Sequence, residues 1–387
     1  MIRNISVGID IGTFTTRVVV GEFLKGEKNP KIIGVGESET KGMRHGYIIH
    51  IPNAIDSLKE ALNMAEKTSG IKIKRAYVSI GGTTLRSQIG NGSAIISKAD
   101  SEVTNLDVNK ALDESESNLS LGNKKIIYVS PISYKLDGKE VLGRPEGMHG
   151  NKLEIKALFI TCSNKHWEDL MEVVTEVGVE PIDIIPSILA GSQIVLSSRQ
   201  KIVGTALIDI GAETVSIGVF ENESLISLHT FSIGSTDITN DIALGLKIPL
   251  DKAESLKLGD DIEEYSKKKL DEIIEARLKD IFELIENHLK KIKRNELLPA
   301  GVVFIGGGSN VFELDTLSKN VLKLPSKIGS TEIFGNMKTK LRDPSWYVTL
   351  GLITSSKNTK GYVEGSLPNF IKNLKDVLKS TLKQLMP

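Results

Sequence analysis

The sequence predicts an α/β protein with at least two lobes. A length of 387 residues is enough to form two or more hydrophobic cores. Two stretches, VGIDIGTFTTRVVVGEF (7–23) and ALIDIGAETVSIGVFEN (206–222), follow one pattern. A third stretch, GVVFIGGGSN (301–310), is typical of a buried strand, a glycine turn and the start of a helix. These three stretches also indicate where a ligand would bind.

Each repeat predicts a strand, an Asp-Ile-Gly turn with hydroxyl residues, and a second strand. Such a turn exposes backbone N–H groups and hydroxyls to a phosphate, and its aspartate can orient a metal-bound water. Two ordinary hairpins with glycine turns are the alternative, but two turns at matching positions favour paired phosphate loops. The matched pairs are Asp10 and Asp209, Ile11 and Ile210, Gly12 and Gly211, and Thr15 and Thr214.

Two further patterns are candidates for nucleoside contacts. Glycines at 306–308 let the backbone approach a flat ligand closely, and a helix N-terminus favours anionic groups. Strand–glycine–helix turns are common, so it is the position after both hairpins that makes this a candidate adenosine-binding turn. In DKAESLKLG (251–259), Glu254 and Lys257 share one helix face. This pair could hold a ribose or flank an adenine, or it could be a solvated ion pair.

Composition narrows the function classes. Lys+Arg and Asp+Glu are equal at 49 each, so no overall basic character indicates nucleic acid. The single cysteine, Cys162, lies in an apolar run that predicts a buried thiol, and no disulfide is possible within one chain, which fits a reducing cytoplasm. The first residues lead into a strand without a signal-peptide pattern. No apolar stretch approaches about 18 residues, so we expect any membrane contact to lie on the surface.

The end of the sequence predicts a membrane-surface helix. Residues 355–366 are polar and aperiodic, and we place a flexible linker at 357–366. Residues 367–387 then combine an apolar stripe with lysines on its flanks and opposite side, which suits anionic headgroups better than docking on the protein's own body. The stripe comprises Leu367, Phe370, Ile371, Leu374, Val377, Leu378, Leu382 and Leu385, and the lysines are Lys372, Lys375, Lys379 and Lys383.

Taken in order, the two hairpins and the glycine turn resemble the superfamily of actin, heat-shock chaperone ATPases and sugar kinases. Within it, nearly the whole chain resembles the bacterial cell-division protein family FtsA. The stretches that carry this resemblance are IIGVGESETKGMRHGYIIHI (32–51), AYVSIGGTTLRS (76–87), GSTDITNDIALGL (234–246), LDEIIEARLKDIFELIENHLKK (270–291) and LPAGVVFIGGGSN (298–310).

The resemblance implies a two-lobed actin-like ATPase fold, built from duplicated RNase H-like domains that close over Mg-ATP, with an FtsA-type 1C subdomain and a C-terminal amphipathic helix. It implies that helix 51–70 and stretch 345–356 are the connecting helices. The implied subdomains are 1A (1–83, 163–200 and 331–356), 1C (84–162), 2A (201–235 and 298–330) and 2B (236–297), followed by the linker (357–366) and the membrane helix (367–387).

The resemblance also implies the residues that contact ATP and Mg²⁺. In the family, Mg²⁺ is held through ATP and water near two aspartates, here Asp10 and Asp209. The implied nucleotide contacts are Asp10, Gly12, Thr13, Thr15 and Thr16 in the first loop; Asp209, Gly211 and Thr214 in the second, with Gly234 nearby; Glu254 and Lys257 for the nucleoside; and Gly306, Gly307, Gly308 and Ser309 in the adenosine turn.

The partners implied by the resemblance are those of a division scaffold. They are the C-terminal peptide of the tubulin-like protein FtsZ, docked on 2B; further copies of the chain in a homopolymer; other division proteins, through 1C; and an anionic membrane surface. The implied location is the cytoplasmic face of the membrane at the division septum. The alternatives are a PilM-like adaptor of pilus assembly and a small-molecule kinase of the same superfamily.

Two positions depart from the family pattern. The second loop reads Gly211-Ala212-Glu213 where the family has Gly-Gly-Gly, so a carboxylate lies near the expected phosphates. Like charges about 4 Å apart repel by on the order of 4 kcal/mol, so Glu213 must point away from the phosphates, reach Mg²⁺ or weaken binding, and we expect the first. Ser187 stands where hydrolysing relatives have a glutamate that positions water, and a serine is no base without a partner. We therefore expect ATP binding with weak or no ATPase activity.

Overall fold

A computed structural model of the chain describes residues 4–27, 29–260, 265–311, 313–334 and 339–362. The strands are β1 (Asn4–Ile11), β2 (Thr15–Phe23), β3 (Lys31–Glu39), β4 (Met43–Arg44), β5 (Tyr47–Ile48), β6 (Arg75–Ile80), β7 (Arg86–Ile95), β8 (Lys124–Leu136), β9 (Lys139–Val141), β10 (Lys152–Ser163), β11 (Glu180–Pro186), β12 (Thr205–Ile210), β13 (Val215–Glu221), β14 (Ser224–Phe231), β15 (Val302–Ile305) and β16 (Ser326–Ile328). The α-helices are α1 (Ile51–Ser69), α2 (Asn105–Ser117), α3 (Asn164–Glu176), α4 (Ser187–Val195), α5 (Ser198–Val203), α6 (Ser235–Leu246), α7 (Leu250–Leu258), α8 (Lys267–Lys291), α9 (Leu314–Leu322) and α10 (Tyr347–Tyr362).

Two five-stranded sheets share one plan. The first sheet has the order β11-β6-β1-β2-β3, and the second has the order β16-β15-β12-β13-β14. In each, three consecutive strands form an antiparallel meander, and two later strands add in parallel beside the first of the three. We call the first sheet with its helices the first lobe and the second sheet with its helices the second lobe. The duplication predicted from the two hairpins is therefore present in the sheet topology.

Helix α1 covers the first sheet rather than linking the lobes. Pro52 occupies its first turn, and Gly70 ends it in the left-handed conformation at φ 69°. Its buried face packs on β2 and β3, where glycines allow close approach: a Cβ at Gly36 would lie 1.9 Å from the Ala61 carbonyl oxygen. The helix predicted over 51–70 is thus present, but the connecting role implied for it is wrong.

Helices α4 and α10 occupy the connecting positions. Helix α4 contacts β6 and β11 of the first sheet and β12 and β13 of the second. Helix α10 crosses it closely, because a Cβ at Gly351 would lie 1.9 Å from the Ala190 carbonyl oxygen. Helix α10 also lies on β1, where a Cβ at Gly8 would be 2.7 Å from the Thr349 carbonyl oxygen. The crossing helix implied at 345–356 is present.

The second lobe has one continuous core. Buried side chains of α6, α8 and α9 pack with those of β12, β13 and β15, and the rings of Phe282 and Phe304 lie 5.9 Å apart. Arg277 of α8 makes two hydrogen bonds to the Asp241 carboxylate of α6, of 2.6 and 2.9 Å. The segments assigned to 2A and 2B therefore share their hydrophobic core.

Residue contacts divide the chain into a larger unit, which contains both lobes (residues up to 88, 121–130 and 158–354), and a smaller one, described at 89–120 and 131–157. The smaller unit has its own core, in which α2 packs over Ala94, Leu153 and Ile155. Thr104 and Asp107 cap α2 reciprocally. The inserted strands follow the order β7-β10-β8-β9, so the strand–helix–strand–strand insertion predicted at 84–162 is present, with the short β9 added.

The end of the chain is described only in part. Helix α10 continues to Tyr362, so residues 357–362 are helical and the linker predicted there is wrong over that stretch. The rest of the linker and the predicted membrane helix (367–387) lie outside the described residues. Within the described ranges, no helix combines the length and apolarity that crossing a bilayer requires.

Candidate functional site

The two matched aspartates, Asp10 and Asp209, face one site. Asp10 precedes the last residue of β1, and Asp209 holds the same place in β12. Burial raises the pKa of Asp10, partly offset by the Ser79 hydroxyl, which donates to its Oδ1 at 2.5 Å. Burial, together with the negative charge of Asp10, raises the pKa of Asp209 to about 7. The two loops meet at one hairpin turn, where the Gly46 amide donates to Thr13 of the first loop and the His45 amide donates to Glu213 of the second.

Arg17 supplies positive charge to this acidic pair. It lies directly opposite Asp10 across the β1–β2 ladder, and directly opposite residues lie side by side on the same face. Its charge lowers the pKa of both Asp10 and Asp209. The guanidinium lies 5.3 Å from the centre of the Trp346 ring, and its buried Nε has no hydrogen-bond partner among the described residues. A buried donor without an acceptor indicates a place for an anion.

Arg17 is absent from the sequence-predicted set of site residues. A signal for it exists in the sequence, because the short hairpin turn fixes the register that places Asp10 opposite Arg17. In the second hairpin the same register places Ser216 opposite Asp209. Of the two residues opposite the matched aspartates, Arg17 of the first lobe is the one that carries a positive charge.

The first loop (residues 10–16) presents a tight turn. The Gly12 amide donates to the Thr15 carbonyl oxygen at 3.2 Å, and Thr13 Oγ1 accepts from the Gly46 amide at 3.1 Å. Thr16 differs from the other predicted contacts, because it is fully buried and its hydroxyl pairs with that of Thr40 at 2.8 Å. Gly12, Thr13 and Thr15 thus lie at the turn, whereas the Thr16 side chain belongs to the core.

The second loop (residues 209–215) has the same internal hydrogen bond but a different neighbour. The Gly211 amide donates to the Thr214 carbonyl oxygen at 2.8 Å. The carbonyl oxygens of Gly211 and Ala212 accept from the first amides of α6, those of Ser235 and Thr236, at 2.9 and 2.8 Å. Gly234 makes this contact possible, since a Cβ there would lie 2.3 Å from the Ala212 carbonyl oxygen.

Glu213 joins the second loop to the first lobe. Its Oε2 accepts from the His45 amide at 2.6 Å, and the His45 Nδ1 lies 3.3 Å from the Glu213 carbonyl oxygen. His45 and Gly46 form the turn between β4 and β5. The carboxylate is directed at a backbone amide of the first lobe; its direction relative to bound phosphates stays a prediction.

The glycine turn lies against Asp209. Gly306 has φ 87°, and a Cβ there would lie 2.3 Å from Asp209 Oδ1. The helix expected to follow directly is a short 3-10 turn (Gly307–Asn310) before α9. Gly307 is exposed, whereas Gly308 and Ser309 are buried and the Ser309 hydroxyl donates to the Gly306 carbonyl oxygen at 2.7 Å. Gly307 can therefore face a ligand, while Gly306 is buried against Asp209 and Ser309 holds the turn.

Glu254 and Lys257 form a partly buried network with α6 rather than a solvated pair. Lys257 Nζ lies 2.7 Å from Glu254 Oε2, and the Lys257 side chain is only 6% exposed. The same ammonium donates to the Thr239 hydroxyl at 2.8 Å and to the Ser235 carbonyl oxygen at 3.2 Å. Since Ser235 also contacts the second loop, this network lies one helical turn from the phosphate loops.

Two smaller expectations concern single residues. Cys162 is buried, as predicted, and burial raises the pKa of its thiol to about 12. Ser187 is the first residue of α4 and follows the carboxyl end of β11, which runs parallel to β6 and β1. The carboxyl ends of parallel strands share one edge of a sheet, so Ser187 lies at the edge that carries Asp10.

Two solved structures illustrate which known proteins share this fold. The PilM–PilN type IV pilus biogenesis complex matches with a TM-score of 0.69 and 16% identity, over 90% of this chain and 98% of that chain. MreB5 of Spiroplasma citri, solved with ADP bound, matches with a TM-score of 0.55 and 14% identity, over 94% of this chain and 99% of that chain. At these identities the likeness shows the actin-like ATPase fold alone.

Sequence relatives decide the family. The model of the family "Cell division protein FtsA" matches residues 206–351, and that of the "SHS2 domain inserted in FTSA" matches residues 82–161. FtsA of Bacillus subtilis is 30% identical over 91% of this chain and 83% of that protein. FtsA of Pseudomonas aeruginosa is 27% identical over 90% of this chain and 88% of that protein. With a duplicated actin-like fold, an inserted SHS2 domain and relatives of this similarity, the chain belongs to the FtsA family of cell-division proteins.

Proposed function

We propose that this protein binds ATP with Mg²⁺ at the two loops and acts as a membrane-attached, polymerising scaffold that links FtsZ to the membrane. The observation that carries nucleotide binding is the convergence of Asp10 and Asp209 from two matched hairpins, with Arg17 of β2 opposite Asp10. A structural role would not require two buried carboxylates to face each other, because their repulsion destabilises the fold.

The residues present fit Mg-ATP. The unpartnered Nε of Arg17 suits a phosphate oxygen, and the Thr13, Thr15 and Thr214 side chains border the two turns. Glu254 and Lys257 lie on the side where α6 meets the second loop, which suits the nucleoside, and the exposed Gly307, positioned by Gly306, suits the adenine face. Among the described residues, no group of three or more His, Cys, Asp or Glu side chains is arranged to hold a metal ion, and Mg²⁺ would rest on phosphate and water oxygens beside the two aspartates.

Each residue then has a separate task. Bound Mg²⁺ would neutralise phosphate charge and thereby allow both aspartates to be ionised. Asp10 and Asp209 hold the metal's water, and Arg17 holds the phosphate chain. Ser187, which replaces the water-positioning glutamate of hydrolysing relatives, leaves no general base there. We therefore propose slow or negligible hydrolysis, so that ATP acts mainly as a structural ligand.

The scaffold role rests on membership of the FtsA family and on the sequence of residues 367–387. Burial of each leucine contributes roughly 1.5–3 kcal/mol, less at an interface, and each lysine near an anionic leaflet adds about 1 kcal/mol. One helix is then a modest, reversible anchor, and many helices on one filament bind with avidity. FtsZ would dock through its C-terminal peptide on α6–α8, and other division proteins through residues 84–162, on the cytoplasmic face at the septum.

Calorimetric titration of the full chain with ATP tests the nucleotide site. We expect saturable binding with Mg²⁺, weaker binding in EDTA, and binding abolished in the double variant Asp10→Asn and Asp209→Asn. Glu176→Ala, which removes one exposed carboxylate at the end of α3, is the matched control and should bind like wild type. Wild-type binding that survives the double substitution would refute the proposed site.

Co-sedimentation with anionic liposomes tests the membrane anchor. We expect the full chain to pellet and a chain ending at Ser366 to stay in the supernatant. A matched variant with Lys372, Lys375, Lys379 and Lys383 changed to Gln keeps the apolar stripe, and its binding should be weaker and lose its dependence on anionic lipid. Equal pelleting of the full and shortened chains would remove the anchor from the proposal.

A further inference from the structure

The short β4–β5 hairpin touches both phosphate loops at its tip. His45 and Gly46 form that tip with φ values of 47° and 78°, the left-handed pair that a two-residue hairpin turn needs. The Gly46 amide donates to Thr13 Oγ1 of the first loop at 3.1 Å. The preceding amide, that of His45, donates to the Glu213 carboxylate of the second loop at 2.6 Å. Adjacent amides of one turn thus hold one residue from each lobe.

The hairpin itself is fixed to the first lobe. The Thr83 amide donates to the His45 carbonyl oxygen at 3.2 Å, and a Cβ at Gly46 would lie 2.3 Å from the Gly82 Cα. Tyr47 packs toward α3, with its ring 6.3 Å from that of His166. Because the tip is held to its own lobe by these contacts, the bond to Glu213 is a connection between lobes.

The bond between His45 and Glu213 is of the stronger kind. The acceptor is a carboxylate, and hydrogen bonds to charged groups are stronger than neutral ones. The carbonyl oxygens of Gly211 and Ala212 in the second loop accept from the first amides of α6 rather than from the hairpin tip. Loss of the Glu213 side chain therefore removes the carboxylate bond; of the two hydrogen bonds described between His45 and Glu213, the 3.3 Å contact between the His45 ring and the Glu213 carbonyl oxygen would remain.

We propose that Glu213 is a latch between the lobes that slows the release of bound nucleotide. The inference rests on the proposed nucleotide site and adds a regulatory residue to it, since Glu213 lies in the second loop but is committed to the hairpin tip. A nucleotide held between the two loops leaves when the loops separate, and separation breaks the bond between Glu213 and the His45 amide. Glu213 acts through the hairpin, so it is a positioning residue and not a ligand of the phosphates.

The first arm of the test needs no nucleotide. Amide hydrogen exchange of residues 43–48 is measured in the full chain for wild type, Glu213→Ala, Glu213→Gln and the control Glu176→Ala. We expect exchange at the tip to rise on the order of tenfold in Glu213→Ala, less in Glu213→Gln, which keeps an acceptor, and not at all in the control. Unchanged exchange in Glu213→Ala would overturn the latch, whether or not the protein binds ATP.

The second arm measures release. A fluorescent ATP analogue is bound with Mg²⁺ and chased with excess unlabelled ATP. We expect release from Glu213→Ala to be about tenfold faster than from wild type, with Glu213→Gln between them and Glu176→Ala equal to wild type. Wild-type release from Glu213→Ala overturns the inference. If wild type itself binds no nucleotide, the proposed function fails and the role in release fails with it, while the first arm still reports on the His45–Glu213 bond.

Discussion

The two hairpins share a backbone and differ in what surrounds it. In both, an aspartate precedes the last residue of the first strand, and a glycine amide closes the turn on a threonine carbonyl oxygen. The first loop has Arg17 opposite its aspartate; the second has Ser216 there, α6 on its carbonyl oxygens and Glu213 bound to the other lobe. A repeated strand–turn–strand pattern thus forms the same backbone twice. The residues around each copy differ, so the first hairpin carries the positive charge of Arg17 and the second carries the Glu213 bond to the other lobe.

The two aspartates show this difference in their electrostatics. Asp10 accepts a hydrogen bond from Ser79 of the adjacent strand, which favours its charged form. No hydrogen bond contributes to the pKa of Asp209 among the described residues, and burial with the charge of Asp10 raises that pKa to about 7. Without a bound cation, the ionised form of Asp209 is therefore less favourable than that of Asp10.

The substitution Asp209→Asn should give the largest effect. The pKa of Asp209 is about 7 in the folded state and 3.8 in the unfolded state. Its contribution to stability is therefore complete below pH 3.8 and is lost as pH rises through 7. At pH 8 the amide avoids this loss, so we expect the ligand-free protein to gain about 1–3 kcal/mol in unfolding free energy, while affinity for Mg-ATP falls about 100-fold. Thermal unfolding and calorimetric titration measure the two changes.

Asp10→Asn is the matched substitution in the first hairpin. It should lose nucleotide affinity comparably but gain less stability, because the Ser79 hydrogen bond already favours the carboxylate. Equal stabilisation by both substitutions would show that the two aspartates have equivalent environments, against the comparison drawn from their partners.

The buried His166 in the first lobe and the partly buried His288 in the second give the next effect. Burial lowers the pKa of His166 in the first lobe to about 4, despite the charge of Asp169, and lowers that of His288 in the second to about 4. A depressed pKa favours the neutral ring, so its contribution is complete above pH 6.5 and declines as pH falls toward 4. For His166 the decline reaches about 2 kcal/mol at pH 5, and it is smaller for the less buried His288.

Substitution by Gln at each histidine isolates this decline. The difference in unfolding free energy between His166→Gln and wild type should shift by about 2 kcal/mol in favour of the variant as pH falls from 7.5 to 5. The corresponding shift for His288→Gln should be smaller. Chemical denaturation at both pH values gives the differences. The comparison must be made between variants, because Asp209 and Asp183, whose pKa values are raised to about 7 and about 6, change stability in the opposite sense over this range. Parallel pH profiles for all three proteins would contradict the assignment.

The scaffold could be predicted from local patterns, whereas the connections between lobes could not. Each hairpin, the glycine strand and the α1 helix have short-range signals: alternation, turn glycines and a period of 3.6. The bond between Glu213 and His45 joins residues far apart in the sequence, and no local pattern encodes it. Likewise, apolar periodicity predicted that α1 has a buried face but did not tell which surface that face covers.

The course of α10 beyond residue 355 shows a second limit. Residues 357–362 are polar and aperiodic, and they contain Gly361, so composition favours a linker. They follow an apolar helical segment packed on β1 and α4, and extending an existing helix adds one hydrogen bond for each residue fixed, without a new nucleation step. Propagation from a packed segment outweighs weak local propensity here.

Substitution of Arg17 should lower ATP affinity about tenfold, and the equivalent position of the second hairpin offers a matched control. Arg17→Gln removes the cation opposite Asp10, and we expect ATP affinity to fall about tenfold, as expected for loss of one charge-assisted contact. Ser216→Ala changes the equivalent position of the second hairpin, where the hydroxyl pairs with Thr230 at 3.0 Å inside the core, and should leave affinity unchanged. Titration with Mg-ATP measures both. A larger loss of Mg-ATP affinity for Ser216→Ala than for Arg17→Gln would contradict the assignment of the phosphate-binding charge to the first hairpin.

The smallest difference concerns the turn glycines themselves. A Cβ at Gly12 would lie 2.9 Å from the Thr15 carbonyl oxygen, too close without backbone movement, whereas a Cβ at Gly211 would lie 3.2 Å from the Thr214 carbonyl oxygen. We expect Gly12→Ala to lower the unfolding free energy by about 1–2 kcal/mol and Gly211→Ala by about 0.5–1 kcal/mol, measured by chemical denaturation without nucleotide. A larger loss of unfolding free energy for Gly211→Ala than for Gly12→Ala would contradict this order. It would indicate that the hydrogen bonds from α6 make the second loop less able to move than the first.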